Sequence, residues 1–109
     1  MSREPKDDDK DNDIILEMPN NVRYTLISGR VLNDVIAERT AQYEKWGQQL
    51  HTEGDWLAIL GEEFGEVSKA ILHTKFGGDE AGGTRQEIVQ TVAVGLQWLD
   101  MIDAGLIVD

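Results

Sequence analysis

Cysteine is absent from the 109 residues, so a disulfide framework, a zinc–thiolate cluster and a thiol nucleophile are all excluded. Any metal site would have to use oxygen ligands or the two histidines, His51 and His73. Positive charge is scarce. Ten Lys+Arg stand against 21 Asp+Glu, a formal net charge of −11 with a pI near 4.4, which argues against a nucleic-acid polymer or an anionic membrane surface as direct partner. No apolar run approaches the roughly 18 residues that span a bilayer, and the opening MSREPKDDDKDND lacks the apolar core of a secretory signal. These absences lead us to expect a cytoplasmic protein of one compact domain.

Residues 1–13 hold six acids and three bases, a net −3, which leaves −8 on the rest of the chain. A segment so charged, with no large apolar residue after Met1, is expected to be a disordered acidic tail. In 14–27, two short β-prone runs flank Pro19-Asn20-Asn21, which is turn chemistry. That segment reads as an extended arm or a small hairpin. From Ser28 the apolar spacing changes to three and four, through Val31, Leu32, Val35, Ile36, Tyr43 and Trp46, and predicts a first helix ending at Gly47. A second helix is expected over Trp56 to Phe76 with Asp55 as its N-cap, stopped by Gly77-Gly78. A third is expected from Thr84 to about Ala104, with Thr84 and Glu87 in capping-box spacing. The fold class is therefore all-α over 28–109.

Helix three is apolar nearly all round, with Ile88, Val92 and Leu99 on one side and Val94, Trp98 and Met101 on the other. Three helices cannot cover both stripes, so a homodimer or higher homo-oligomer packing as a helical bundle is expected.

The strongest local pattern is Glu62-Glu63-Phe64-Gly65-Glu66 on helix two, followed by Glu87-Ile88-Val89-Gln90 on helix three. Spacing of three puts Glu63 with Glu66, and Glu87 with Gln90, on one face. A solvated acidic face is the plain explanation. On a helical wheel, however, Glu63 falls inside the arc drawn by Trp56, Ile59, Leu60, Phe64, Val67 and Ile71, with Glu66 at its edge and Glu62 outside. Carboxylates on apolar faces must be neutralised by protons, bases or a cation, and bases are few. Mg²⁺, or Mn²⁺, suits such oxygen ligands and retains waters for phosphates. Glu87 has a second reading, in which its carboxylate only closes the capping box.

These residues resemble the MazG-like branch of the all-α nucleoside triphosphate pyrophosphohydrolases, whose signature is EExxE on one helix and ExxD on the next; here it reads EEFGE and EIVQ. The similarity runs from about Arg39 to Ile102 and includes the lead-in RTAQYEKWGQQLH. It implies a MazG-like helical bundle that hydrolyses a (deoxy)nucleoside triphosphate to monophosphate and pyrophosphate. Glu63, Glu66 and Glu87 would be metal ligands, with Glu62 and Glu63 in catalysis. Gln90 stands where the family has Asp; its amide oxygen can coordinate but carries no charge. That departure motivates the alternative of a nucleotide-binding or structural bundle with weakened catalysis. Lys69 is the candidate for phosphate contact, with Lys75 as a further cation. Trp46, Gln49 and His51 are the candidates for base and sugar. His73 is assigned no role.

Overall fold

The computed structural model describes residues 3–109, and it is mostly helical with one small two-stranded sheet. Strands β1 (Ile14–Glu17) and β2 (Arg23–Ile27) pair antiparallel with Leu16 opposite Tyr24 and Glu17 opposite Arg23, and the register shifts between Ile14 and Ile15. Asn21 takes the left-handed backbone conformation, φ 62°, that closes the turn. Of the two readings open for 14–27, the hairpin forms. Its strands bury little: Leu16 and Tyr24 are 44% and 61% exposed.

Three helices follow: α1 (Gly29–Trp46), α2 (Glu53–Phe76) and α3 (Thr84–Asp103). The Ser28 side chain accepts from the Val31 N–H to cap α1, and Gly47, at φ 67°, ends it as the sequence predicts. The other two starts differ. Thr52, not Asp55, caps α2, its hydroxyl accepting from the Asp55 N–H at 3.0 Å, so the helix begins three residues early. At α3 the cap is Gly83, with no side-chain capping bond, and Thr84 is already helical. The Glu87 carboxylate is thus not engaged in a capping box.

Helix α3 is the spine. It packs on α1 and on α2, which scarcely touch each other. Trp56 is fully buried against Val94 and Met101, with Ile59, Leu60, Trp98 and Ile107 around them. Phe64 and Ile71, expected on the inner arc of α2, are exposed instead, as are Tyr43, Ile36 and Val31 on α1. Two flanking helices on one spine bury only the side that faces α3. The Ile88, Val92 and Leu99 stripe of α3 is likewise exposed.

The disordered-tail expectation fails over the described part of 1–13; residues 1 and 2 lie outside it. Asp7–Asn12 is a 3-10 helical segment packed on α1, with Asp9 buried. The physical reason is charge pairing at long range in sequence. The Arg3 guanidinium donates to Asp9 at 2.7 and 2.9 Å and to Asp34 of α1 at 2.6 Å, and Arg85 of α3 donates to the other Asp34 oxygen at 2.8 Å. Asn33 and the Lys6 N–H also donate to Asp9. Burial alone would raise the Asp34 carboxyl, but hydrogen bonds from Arg85 and Arg3 outweigh it and hold it below the usual carboxylate range. Asp9 is likewise held below the ordinary range, first by Arg3 and then by the Lys6 N–H.

Gly29 is what lets this segment approach. It is buried, its N–H donates to Asp13 at 2.5 Å, and a Cβ there would run into the Asp9 carbonyl. Gly29→Ala is expected to dislodge residues 3–13 while the three helices persist, at a cost of about 1–3 kcal/mol. Faster tryptic cleavage at Lys6 and Lys10, with a lowered melting temperature and unchanged helical circular dichroism, would report it.

No helix among the described residues is long and apolar enough to cross a membrane.

Candidate functional site

Because α1 and α2 diverge from a common spine, a cavity of about 500 Å³ opens between them. Helix α1 lines it with Glu38, Gln42, Lys45 and Trp46, and the loop before α2 adds Gln49 and His51. The far wall is Trp56, Ile59, Glu62 and Glu63 of α2, and the floor includes Gln90, Val94 and Gln97 of α3. One end is aromatic and the other acidic.

At the aromatic end the His51 ring stands edge-on to Trp56, with ring centroids 4.8 Å apart, and its Nε2 meets Gln49 Oε1 at 3.2 Å. The loop is tied down further by the C-terminal segment, whose Val108 N–H donates to the His51 carbonyl. Trp46 is half-exposed over this mouth, and the Lys45 ammonium lies 4.5 Å from its ring centroid. The three residues proposed for base and sugar thus come together. Trp46 continues an apolar helical stripe, which by itself favours a core position; here that stripe ends in solvent at the cavity rim.

At the acidic end Glu63 is partly buried, as its place on the wheel predicts. Burial pushes its carboxyl up from the ordinary value, and repulsion from Glu87, Glu62, Glu38 and Glu66 adds to it. Glu87 is raised in the same way, first by burial and then by Glu80, Glu66 and Glu38. Among the described residues, none of Glu38, Glu62, Glu63, Glu66 and Glu87 has a side-chain hydrogen bond or an ion pair with a base. Glu62 is exposed yet still lines the cavity, whereas Glu66 and Glu87 sit outside its lining and act on it through their charge.

Lys69 is not brought to the site. Its ammonium pairs with Glu80 at 3.5 Å on the surface, because six positions, about 1.7 turns of α2, put it on a different face from Glu63. Lys75 likewise lies over the neighbouring Phe76 ring. The cation the cavity does hold is Lys45, which shares its α1 lining with Glu38 and Gln42, a face that no local pattern in the sequence marks. His73 has a structural part: its Nδ1 accepts from the Glu80 N–H at 3.1 Å and closes the loop after α2.

A divalent cation can be tested against these residues. No group of three His, Asp or Glu side chains among the described residues stands close enough to enclose an ion. The donor chemistry nevertheless suits one: every polar group at the acidic end is a carboxylate or an amide, and the carboxylates repel one another without a base to offset them. Of the four residues of the acidic motifs that could offer oxygens to it, Glu63 and Gln90 line the cavity and Glu66 and Glu87 do not. No family model, curated protein or solved structure matches this chain.

Proposed function

We propose that this protein is a Mg²⁺-dependent nucleoside triphosphate pyrophosphohydrolase of the MazG-like type, acting on a (deoxy)nucleoside triphosphate, with Mn²⁺ as a substitute ion. The observation that carries the reading is the set of uncompensated carboxylates around Glu63 beside a cavity whose other end is aromatic. A nucleotide has the same two-part chemistry. Its base is flat and apolar with polar edges, and its triphosphate would be repelled by a chain of net charge −11 unless a cation intervened.

In this reading Glu63, Glu66 and Glu87 hold the ion through carboxylate oxygens and Gln90 through its amide oxygen. When bound, the ion neutralises phosphate charge and polarises the α-phosphate. Glu62, at the exposed lip, orients the attacking water and accepts its proton as oxygen adds to the α-phosphorus. The bond from that phosphorus to the bridging oxygen breaks, and pyrophosphate leaves. Trp46 stacks on the base while Gln49 and His51 offer hydrogen bonds to base or sugar, and Lys45 adds positive charge at the mouth.

A second copy of the chain completes the bundle. Support comes from Leu57, Phe64 and Ile71, spaced seven apart on α2 and 50–63% exposed, and from the Ile88, Val92 and Leu99 stripe on α3. Sedimentation at rising concentration should show a dimer or larger assembly.

Gln90 favours one other reading, a bundle that binds nucleotide with little turnover. A panel of nucleoside triphosphates assayed with Mg²⁺ separates the two: pyrophosphate release from at least one member, lost on chelation, is the expected result. Gln90→Asp should then raise the rate at low Mg²⁺. Tight nucleotide binding with no release in either form would leave the binding bundle.

A further inference from the structure

Gln42 is an outlier among the polar groups of the cavity. It is only 8% exposed, it lines the cavity wall, and its Oε1 has no hydrogen-bond donor among the described residues. A buried acceptor left unmatched is costly, and natural structures seldom keep one without a ligand or a role. One helical turn before it on α1, Glu38 also lines the cavity, and i, i+4 spacing places the two side chains on one face. Glu38 is near enough to Glu63 and Glu87 for its charge to act on both.

We propose that Glu38 and Gln42 form the α1 half of the cation site, Glu38 supplying a carboxylate and Gln42 a neutral oxygen donor. The proposal rests on the metal-dependent reading above and adds to it two ligands outside the acidic motifs.

A cation accounts for both residues together, which a hydrogen-bonding ligand does not. A base edge or sugar hydroxyl could satisfy the Gln42 oxygen, but Glu38 beside it and Glu63 across the cavity would remain uncompensated. The only lysine lining the cavity among the described residues is Lys45, held over the Trp46 ring. Arg3 and Arg85 are committed to Asp34, and Arg39, next to Glu38 on α1, does not line the cavity and makes no ion pair among the described residues. An oxygen-seeking divalent ion between α1 and α2 would draw on the oxygen donors of Glu38, Gln42, Glu63 and Gln90, all of which line the cavity.

Mn²⁺ alone, titrated into the full-length protein and followed by the paramagnetic resonance of the free ion, tests this without any substrate. Glu38→Gln is isosteric and removes repulsion, so the protein should stay folded while Mn²⁺ affinity falls by about tenfold or more. Gln42→Leu, which keeps volume and removes the oxygen, should lower affinity by a smaller factor. Wild-type affinity in Glu38→Gln, with Mn²⁺ binding lost in Glu63→Gln, would overturn the role of α1 and leave the proposed function standing. Wild-type affinity in all three variants would overturn the metal-dependent reading itself.

Discussion

Glu63→Gln is expected to abolish pyrophosphate release and, at the same time, to raise the melting temperature of the metal-free protein. The first effect follows from the loss of a ligand: outer partners of metal ligands alone are worth about 10- to 100-fold, so the rate should fall by more than about a hundredfold. The second follows from the environment of the carboxyl. Burial, and then the charges of Glu87, Glu62, Glu38 and Glu66, raise its pKa in the folded state. A carboxyl raised on folding binds its proton more tightly in the native state than in the unfolded chain. The metal-free protein therefore gains stability from this group as pH falls from neutral through the raised pKa, and the gain levels off below the ordinary value of about 4.3. A neutral amide removes the penalty at every pH, so the variant should melt higher at pH 7 and depend less on pH. Protons and cations compete for the same oxygens. Mg²⁺ should accordingly raise the melting temperature of the wild type at neutral pH and lose that effect as pH drops. Thermal melts of both proteins across pH, with Mg²⁺ or chelator, measure all of this. A variant that melts lower than wild type without metal would mean that Glu63 has a stabilising partner in the fold.

Trp56→Ala should be the most damaging single change to stability. This side chain is 0% exposed and is the largest fully buried group, packed on Val94 and Met101. Losing it is expected to cost about 3–5 kcal/mol, a large share of the roughly 5–15 kcal/mol that holds a domain together. The cost extends to the site, because the His51 ring rests edge-on against the indole and would lose its support. Urea unfolding gives the first quantity. A loss below about 1 kcal/mol would mean that α2 and α3 are held together elsewhere than at this cluster.

What the sequence discloses and what it hides divide along the range of the interactions involved. Ser28 and Gly47 bound α1 because capping and a left-handed glycine are local matters. Glu63 stands out because a wheel needs only one helix and its period. Thr84 misleads: the capping-box spacing is present, but the chain has already turned helical at that residue, and Gly83 takes the cap. Residues 3–13 mislead for the opposite reason. Composition registers their charge and not that Arg3 meets Asp34, 31 positions away. Glu38 and Gln42 are invisible for the same cause, since nothing in α1 alone tells which of its faces borders the cavity. The exposed apolar stripe of α3 was legible as a surplus, whereas Phe64 and Ile71 on α2 were not, because the wheel marks an apolar arc without marking how much of it a single neighbour covers.

The ion-pair chain at the start of the protein has a mechanical meaning. Helices α1 and α2 both pack on α3 and scarcely touch each other, so the gap between them depends on how each is fixed to that spine. Asp34 is one such point on α1, joined by Arg85 to the spine and by Arg3 to the acidic segment before the hairpin. That segment thus acts as a strut. One turn further along α1, Glu38 borders both the main cavity and a smaller cleft that Arg3 itself helps to line. A residue near the very start of the chain is in this way coupled to the gap between α1 and α2, and slack introduced there would be felt at the cavity.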